Sequence, residues 1–346
     1  MQKSWQTVVG ALSGVIGVVA WALATAIYQP FMQPGGTWTD SSTGQVFPEV
    51  AGNNTYWPRD IRQLAILLAF GGVILICRAN VRGVVAGAIA MTGWLGVDIW
   101  FDRIDVAGAS AVPWLAVGGI AMFSATAAVA VRVSAGQGGP PIARHVSAGV
   151  IVVLAAATLL VTTPWDEPVT NPDQVQVENA LSMLKAGLVA MFIATAIGLV
   201  AVQLTRGGTR RVAAFIGVAA LASWFATASP GPLMPFGLIG MLVAAMLAVV
   251  AAREVNPIRL LSVAIACCLA QLPAMIVLYI AGSAVGGAMT SLADNPPVNG
   301  ADTDLPIAFT GLVLGLLLAS ISHLMTRSAT RQASSNHDSD LSRNRA

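Results

Sequence analysis

The sequence predicts an all-α protein, a polytopic transmembrane helical bundle of about ten spans with both termini in the cytoplasm. Three observations carry that expectation. Apolar residues make up 56% of the 346-residue chain and charged residues only 10%, against about 25% charged in a usual soluble domain. The mean hydropathy is strongly positive, too high for one water-facing core to hide, so a bilayer is the natural solvent. The basic residues gather between alternate hydrophobic runs, the pattern that cytoplasmic loops show.

A spanning helix needs about 20 mostly apolar residues. Runs near that length lie at 7–28, 62–78, 83–101, 112–131, 146–163, 184–204, 212–229, 233–252, 259–282 and 307–325. Ala24-Thr25-Ala26 faintly resembles a signal-peptide cleavage site, but the preceding run is longer than the usual 7–15 residues of such a signal. The first run is therefore read as an uncleaved span. The seventh and eighth runs are separated only by Pro230-Gly231-Pro232, so the pair is either two spans or one re-entrant unit.

With the N-terminus inside, fourteen basic residues fall on the inner side: Lys3, Arg78, Arg82, Arg132, Arg144, Arg206, Arg210, Arg211, Arg253, Arg259, Arg327, Arg331, Arg343 and Arg345. Four fall outside, namely Arg59, Arg62, Arg103 and Lys185. The spans were drawn without charge, so this asymmetry is an independent argument for orientation. Trp38, Tyr56, Trp57, Trp100, Trp114 and Trp165 lie at outer ends and Trp5 at the inner end, where half-polar rings favour the membrane interface. The scarcity of lysine and the Ala, Val and Gly bias suggest a GC-rich bacterial genome, hence a plasma membrane.

The bundle is expected over 1–326, with long external loops at 29–61, 164–183 and 283–306 and a disordered cytoplasmic tail at 327–346. The loops are rich in Pro, Gly, Asn, Asp and Thr, which favours turns over regular structure. Asn171-Pro172-Asp173 reads as a helix start, Asn as cap and Pro in the first turn, so the sixth helix should project beyond the membrane.

Asp98, Asp102 and Asp105, with Arg103 among them, form the most informative polar group. Their i, i+4, i+7 spacing puts three carboxylates on one helical face if the third helix continues that far. Asp98 lies roughly 22 Å into a ~30 Å core. A carboxylate at that depth is expensive and should face a polar cavity or a partner, which suggests a cation or proton site at an outer vestibule. The bland alternative is that the helix sits lower, Asp98 reaches water and Arg103 pairs with an acid.

Gln271, two residues before Pro273, sits mid-way along the ninth span. Proline frees a backbone carbonyl one turn earlier, so the pair can line a substrate path or act as interhelical glue. Gly10/Gly14, Gly83/Gly87, Gly282/Gly286 and Gly311/Gly315 repeat at the spacing that lets helices approach closely. Tyr56-Trp57-Pro58-Arg59-Asp60 and Pro164-Trp165-Asp166-Glu167-Pro168 read as interface anchors with solvated acids, or as an external docking surface.

Cys77, Cys267 and Cys268 imply no disulfide framework. His145, His323 and His337 all avoid mid-span positions, so neither a metal nor a membrane haem is expected, and no other cofactor motif is present. The chain has no GxxxxGK[ST] phosphate loop, HExxH or GxSxG, and no basic surface suited to nucleic acid. The expected partners are the lipid bilayer, other membrane proteins or further copies of the chain. Three function classes remain: a transporter-like permease; a non-catalytic subunit or scaffold of an envelope complex; and an outer-face enzyme on a lipid-linked substrate, its carboxylates supplied by Asp40, Glu49 and Asp60 of the first external loop and by the Asp98 cluster.

Overall fold

The computed structural model describes residues 2–32, 37–39, 43–48, 57–159, 172–204, 208–228, 234–252, 256–294 and 311–325. The 327–346 tail and the Pro164–Pro168 segment lie outside them. The fold is helical. Helix α1 (Gln2–Leu23) runs into a five-residue π-turn, Ala24–Tyr28, and a last α-turn, α2 (Gln29–Met32). Two three-residue strands follow, β1 (Thr37–Thr39) and β2 (Val46–Pro48), paired antiparallel with Trp38 opposite Phe47. The segment between α2 and Trp57 thus carries a small hairpin where its composition favours turns alone.

Then come α3 (Trp57–Ile76), α4 (Val81–Arg103), α5 (Ala111–Val133) and α6 (Pro141–Leu159). After them run α7 (Pro172–Val200), α8 (Gly208–Ala228), α9 (Met234–Ala251), α10 (Pro257–Leu292) and α11 (Gly311–Met325).

Among the described residues five helical stretches are long and apolar enough to cross a membrane: Trp5–Tyr28, Val81–Arg103, Ala111–Val133, Pro141–Leu159 and Gln176–Val200. Each coincides with an expected span. Of the other expected spans, the stretches Pro235–Ala251, Pro257–Gln271 and Gly311–Met325 are apolar, and α3 carries Arg59, Asp60 and Arg62 in its first two turns.

Helix α7 does start at Pro172, twelve residues before its apolar run. Proline suits that first turn because its missing N–H would have no intrahelical partner there. Helix α10 extends ten residues past the expected end of its span, to Leu292, and stays helical through Pro273.

Helix α3 is the centre of the bundle. It packs against α1, α4 and α7, and every residue from Trp57 to Leu75 except Phe70 is buried. An apolar helix without a polar face belongs inside a bundle. Its contact with α1 is a backbone-to-backbone approach. A Cβ added at Gly10 would come within 2.8 Å of Gly72 O, and one at Gly72 would strike Gly10 O. Glycine is the residue that permits this closeness.

Helices α4 and α5 turn the opposite way. Val85, Ile89, Val97, Trp100, Trp114, Val117 and Val129 are exposed along them, an apolar outer surface suited to lipid.

Candidate functional site

The polar centre forms where α1 passes into its π-turn, α3 begins and α4 ends. Arg62, one turn inside α3, is 1% exposed and is gripped by two acids of α4. Its Nη2 donates to Asp98 Oδ2 at 3.3 Å and its Nη1 to Asp102 Oδ1 at 3.0 Å. Its Nε also lies 3.0 Å from Asp98 Oδ1, though the N–H is not aligned for a hydrogen bond. Asp98 and Asp102 are four residues apart, so both carboxylates leave the same face of α4 one turn apart. They match the planar fork of an arginine, whose geometry suits carboxylates better than lysine's point charge does.

The opposite side of Asp98 is closed by Trp21, whose Nε1 donates to Oδ1 at 2.7 Å. Trp21 is held in turn by Trp94, edge to face with centroids 5.3 Å apart, and by Phe101 at 6.1 Å. Aromatic rings thus wall off the ion pair, and α1, α3 and α4 are tied at one point.

The alternative in which Asp98 reaches water is overturned, since its side chain is 1% exposed and fully engaged. Three carboxylates on one face is also corrected. Helix α4 stops at Arg103, and Asp105 lies beyond it with φ +50°. The N–H of Val106 bonds Phe101 O at 3.1 Å and that of Asp105 bonds Asp102 O at 3.2 Å. This is a Schellman stop, with Asp105 in the left-handed position, a conformation that Asp tolerates better than most residues. Asp105 is exposed while Asp98 and Asp102 are buried.

Arg103 does pair with an acid, but away from the buried pair. Its Nη2 lies 3.9 Å from Asp294 and its Nη1 donates to Leu292 O at 3.2 Å, at the end of α10. Arg59 joins the same docking, donating from Nη2 to Thr290 Oγ1 at 2.9 Å.

Three of the four basic residues placed outside by sequence, Arg59, Arg62 and Lys185, are therefore buried among the helices. In the Tyr56–Asp60 segment, Trp57, Arg59 and Asp60 are buried, which overturns interface anchoring with solvated acids; Tyr56 lies outside the described residues.

A small cavity of about 40 Å³ opens beside this cluster, lined by Thr25, Gln29, Arg62, Asp102 and Asp105 with Pro30, Phe101, Val106 and Ala107. The π-turn shapes it. Gln29 N–H reaches back to Ala24 O, and Gly108 N–H bonds Ala26 O at 2.8 Å, pinning the α4–α5 turn to the end of α1. Short π-segments inside α-helices are often found at functional sites.

Gln271 and Pro273 are not part of this centre. They lie in α10 nineteen and seventeen residues before Thr290, some 25–28 Å along the helix. Gln271 is partly buried and its Oε1 has no hydrogen-bond partner, while Pro273 is exposed.

Trp21, Thr25 and Gln29 escape the sequence reading, and Arg62 enters it only as a basic residue outside the membrane. The one signal of the first three is a polar and aromatic stripe at i, i+4, i+8 in an otherwise apolar span, which is hard to tell from scatter without the tertiary contacts.

At the other end of the bundle His145 Nε2 lies 3.3 Å from Ser322 Oγ, with the His323 ring 5.9 Å away. Among the described residues no group of three or more His, Cys, Asp or Glu is placed to hold a metal ion. No protein-family model matches the chain, and no curated protein or solved structure is significantly similar to it.

Proposed function

We propose that the chain is a transporter-like permease of a bacterial plasma membrane, with about ten spans and both termini cytoplasmic. The observation that carries this reading is the buried Arg62–Asp98–Asp102 cluster beside a polar cavity, at one end of long apolar helices. Ionisable residues among membrane helices are costly and by default mark a substrate or ion path. The excess of arginine in alternate loops supports the orientation, which puts the cavity at the outer face.

The test is electrical. Proteoliposomes of the full chain on a solid support are challenged in turn with sodium, protons, amino acids, sugars and nucleosides. A permease gives a transient above empty liposomes for at least one solute, and Asp102→Asn diminishes it while the protein still inserts. Silence of the wild type across the panel, with insertion verified, defeats the reading.

The pairing of Arg62 with two acids favours a second reading, a scaffold or non-catalytic subunit in which the cluster is a strut. Stoichiometric partners retained on purification in a mild detergent support it. The enzyme reading loses ground because Asp60 is fully buried, out of reach of an external substrate.

A further inference from the structure

The geometry points to the cavity between the π-turn of α1 and the end of α4 as a binding site for a small monovalent metal cation, of the size of sodium, held by Gln29, Asp102 and Asp105. As a coupling site it rests on the transport reading; as a binding site it stands alone.

The first ground is an unsatisfied side chain. Gln29 is 3% exposed, lines the cavity, and neither its Oε1 nor its Nε2 has a hydrogen-bond partner. A buried amide without partners forfeits its hydrogen bonds to water with nothing in return, so something polar is expected to meet it.

The second ground is the chemistry of the wall. Among the described residues its polar side chains are the Asp102 and Asp105 carboxylates, the Gln29 amide, the Thr25 hydroxyl and the Arg62 guanidinium. The Thr25 hydroxyl donates its hydrogen to Trp21 O at 2.8 Å, so its lone pairs remain to accept or ligate. Arg62 directs its Nη donors to Asp98 and Asp102. The wall is thus oxygen-rich with a surplus of negative charge, which suits a hard cation. Arg59, Asp60 and Lys185, the other buried charged side chains among the described residues, are not among its lining residues.

The third ground is size. A space of about 40 Å³ exceeds the ~10–15 Å³ that one water needs, so it holds a small ion with a water or two. Magnesium, which keeps several waters, is too large when hydrated. Two carboxylates against one guanidinium leave the described lining a single net negative charge, which balances a monovalent ion better than calcium. The exposed Asp105 marks the mouth and the buried Asp102 the floor.

The experiment is thermal unfolding of the purified full chain in detergent, with sodium chloride against choline chloride at equal ionic strength and fixed pH. Selective binding raises the wild-type midpoint by about 2–4 °C at saturating sodium. Gln29→Leu and Asp105→Asn, which leave the Arg62 pairs intact, should shift the sodium dependence at least tenfold to higher concentration; in choline the Asp105→Asn midpoint stays nearly unchanged and the Gln29→Leu midpoint rises, because its unsatisfied amide is gone.

A wild type indifferent to sodium overturns the site, as does an equal sodium response in both variants. A midpoint that follows pH but not sodium also overturns it, leaving water or a proton in the cavity. Sodium binding without any current on the solid support retires the transport reading and keeps the site, whereas currents with no sodium-dependent stabilisation do the reverse.

Discussion

Arg62 and Asp98, thirty-six residues apart in sequence, meet inside the bundle with Nε 3.0 Å from Oδ1 and both side chains 1% exposed. Neither would be tolerated there alone. Each is the other's reason for being buried, and Asp102 and Trp21 complete the arrangement by satisfying what the first contact leaves over.

That mutual dependence makes removal of one partner far worse than removal of all. Arg62→Ala strands two carboxylates and should cost about 3–5 kcal/mol. The triple change Arg62→Met, Asp98→Leu and Asp102→Leu removes every buried charge of the cluster and should recover most of that loss. Unfolding of both proteins in detergent, followed by circular dichroism, gives the comparison. A triple variant as unstable as Arg62→Ala would contradict the account.

Trp21→Phe isolates one hydrogen bond. The ring keeps its place near Trp94 and Phe101, but the donor to Asp98 is lost. A hydrogen bond to a charged group contributes about 1.5–3 kcal/mol, and the variant should lose stability in that range. Indifference to the change would show that water replaces the indole N–H.

Two glycines in the bundle should respond in opposite directions to alanine. Gly72→Ala drives a methyl group into the backbone of α1 at Gly10 and should cost about 1–3 kcal/mol. Gly93, in the middle of α4, has open space around it, so Gly93→Ala should be neutral or stabilise by about 0.5–1 kcal/mol through helix propensity. The pair of melting curves checks whether α1 and α3 touch as described.

Orientation has its own test. Ser110 and Gln137, both exposed, lie in the turns at opposite ends of α5. In a background with Cys77, Cys267 and Cys268 replaced by Ala, Ser110→Cys should react with a membrane-impermeant maleimide from outside intact cells. Gln137→Cys should react only after the membrane is opened. The reverse result would invert the topology and place the cation cavity on the cytoplasmic side.

The sequence by itself determined that the chain is helical and rich in helices fit for a bilayer, and it located most of them within a few residues, the start of α7 and the end of α10 excepted. Span length and hydropathy are local properties, set by the thickness of hydrocarbon and the need to satisfy backbone groups within each segment. It also marked Asp98 and Asp102 as residues needing a partner, because a buried carboxylate is expensive wherever it lies. Which partner meets them is not a local property. Arg62 stands at the edge of its own apolar run, where composition reads it as a residue facing water. Only the packing of α3 inside the bundle carries it to the acids of α4.

The same holds for Asp105, whose spacing promises a third carboxylate on one face until the Schellman stop turns the chain away after Arg103. Gln29 and Thr25 gain meaning only from a π-turn and a neighbouring loop. Hydrophobic periodicity places helices in a membrane, but which polar groups meet across them depends on rotations and end points that sequence pattern does not encode.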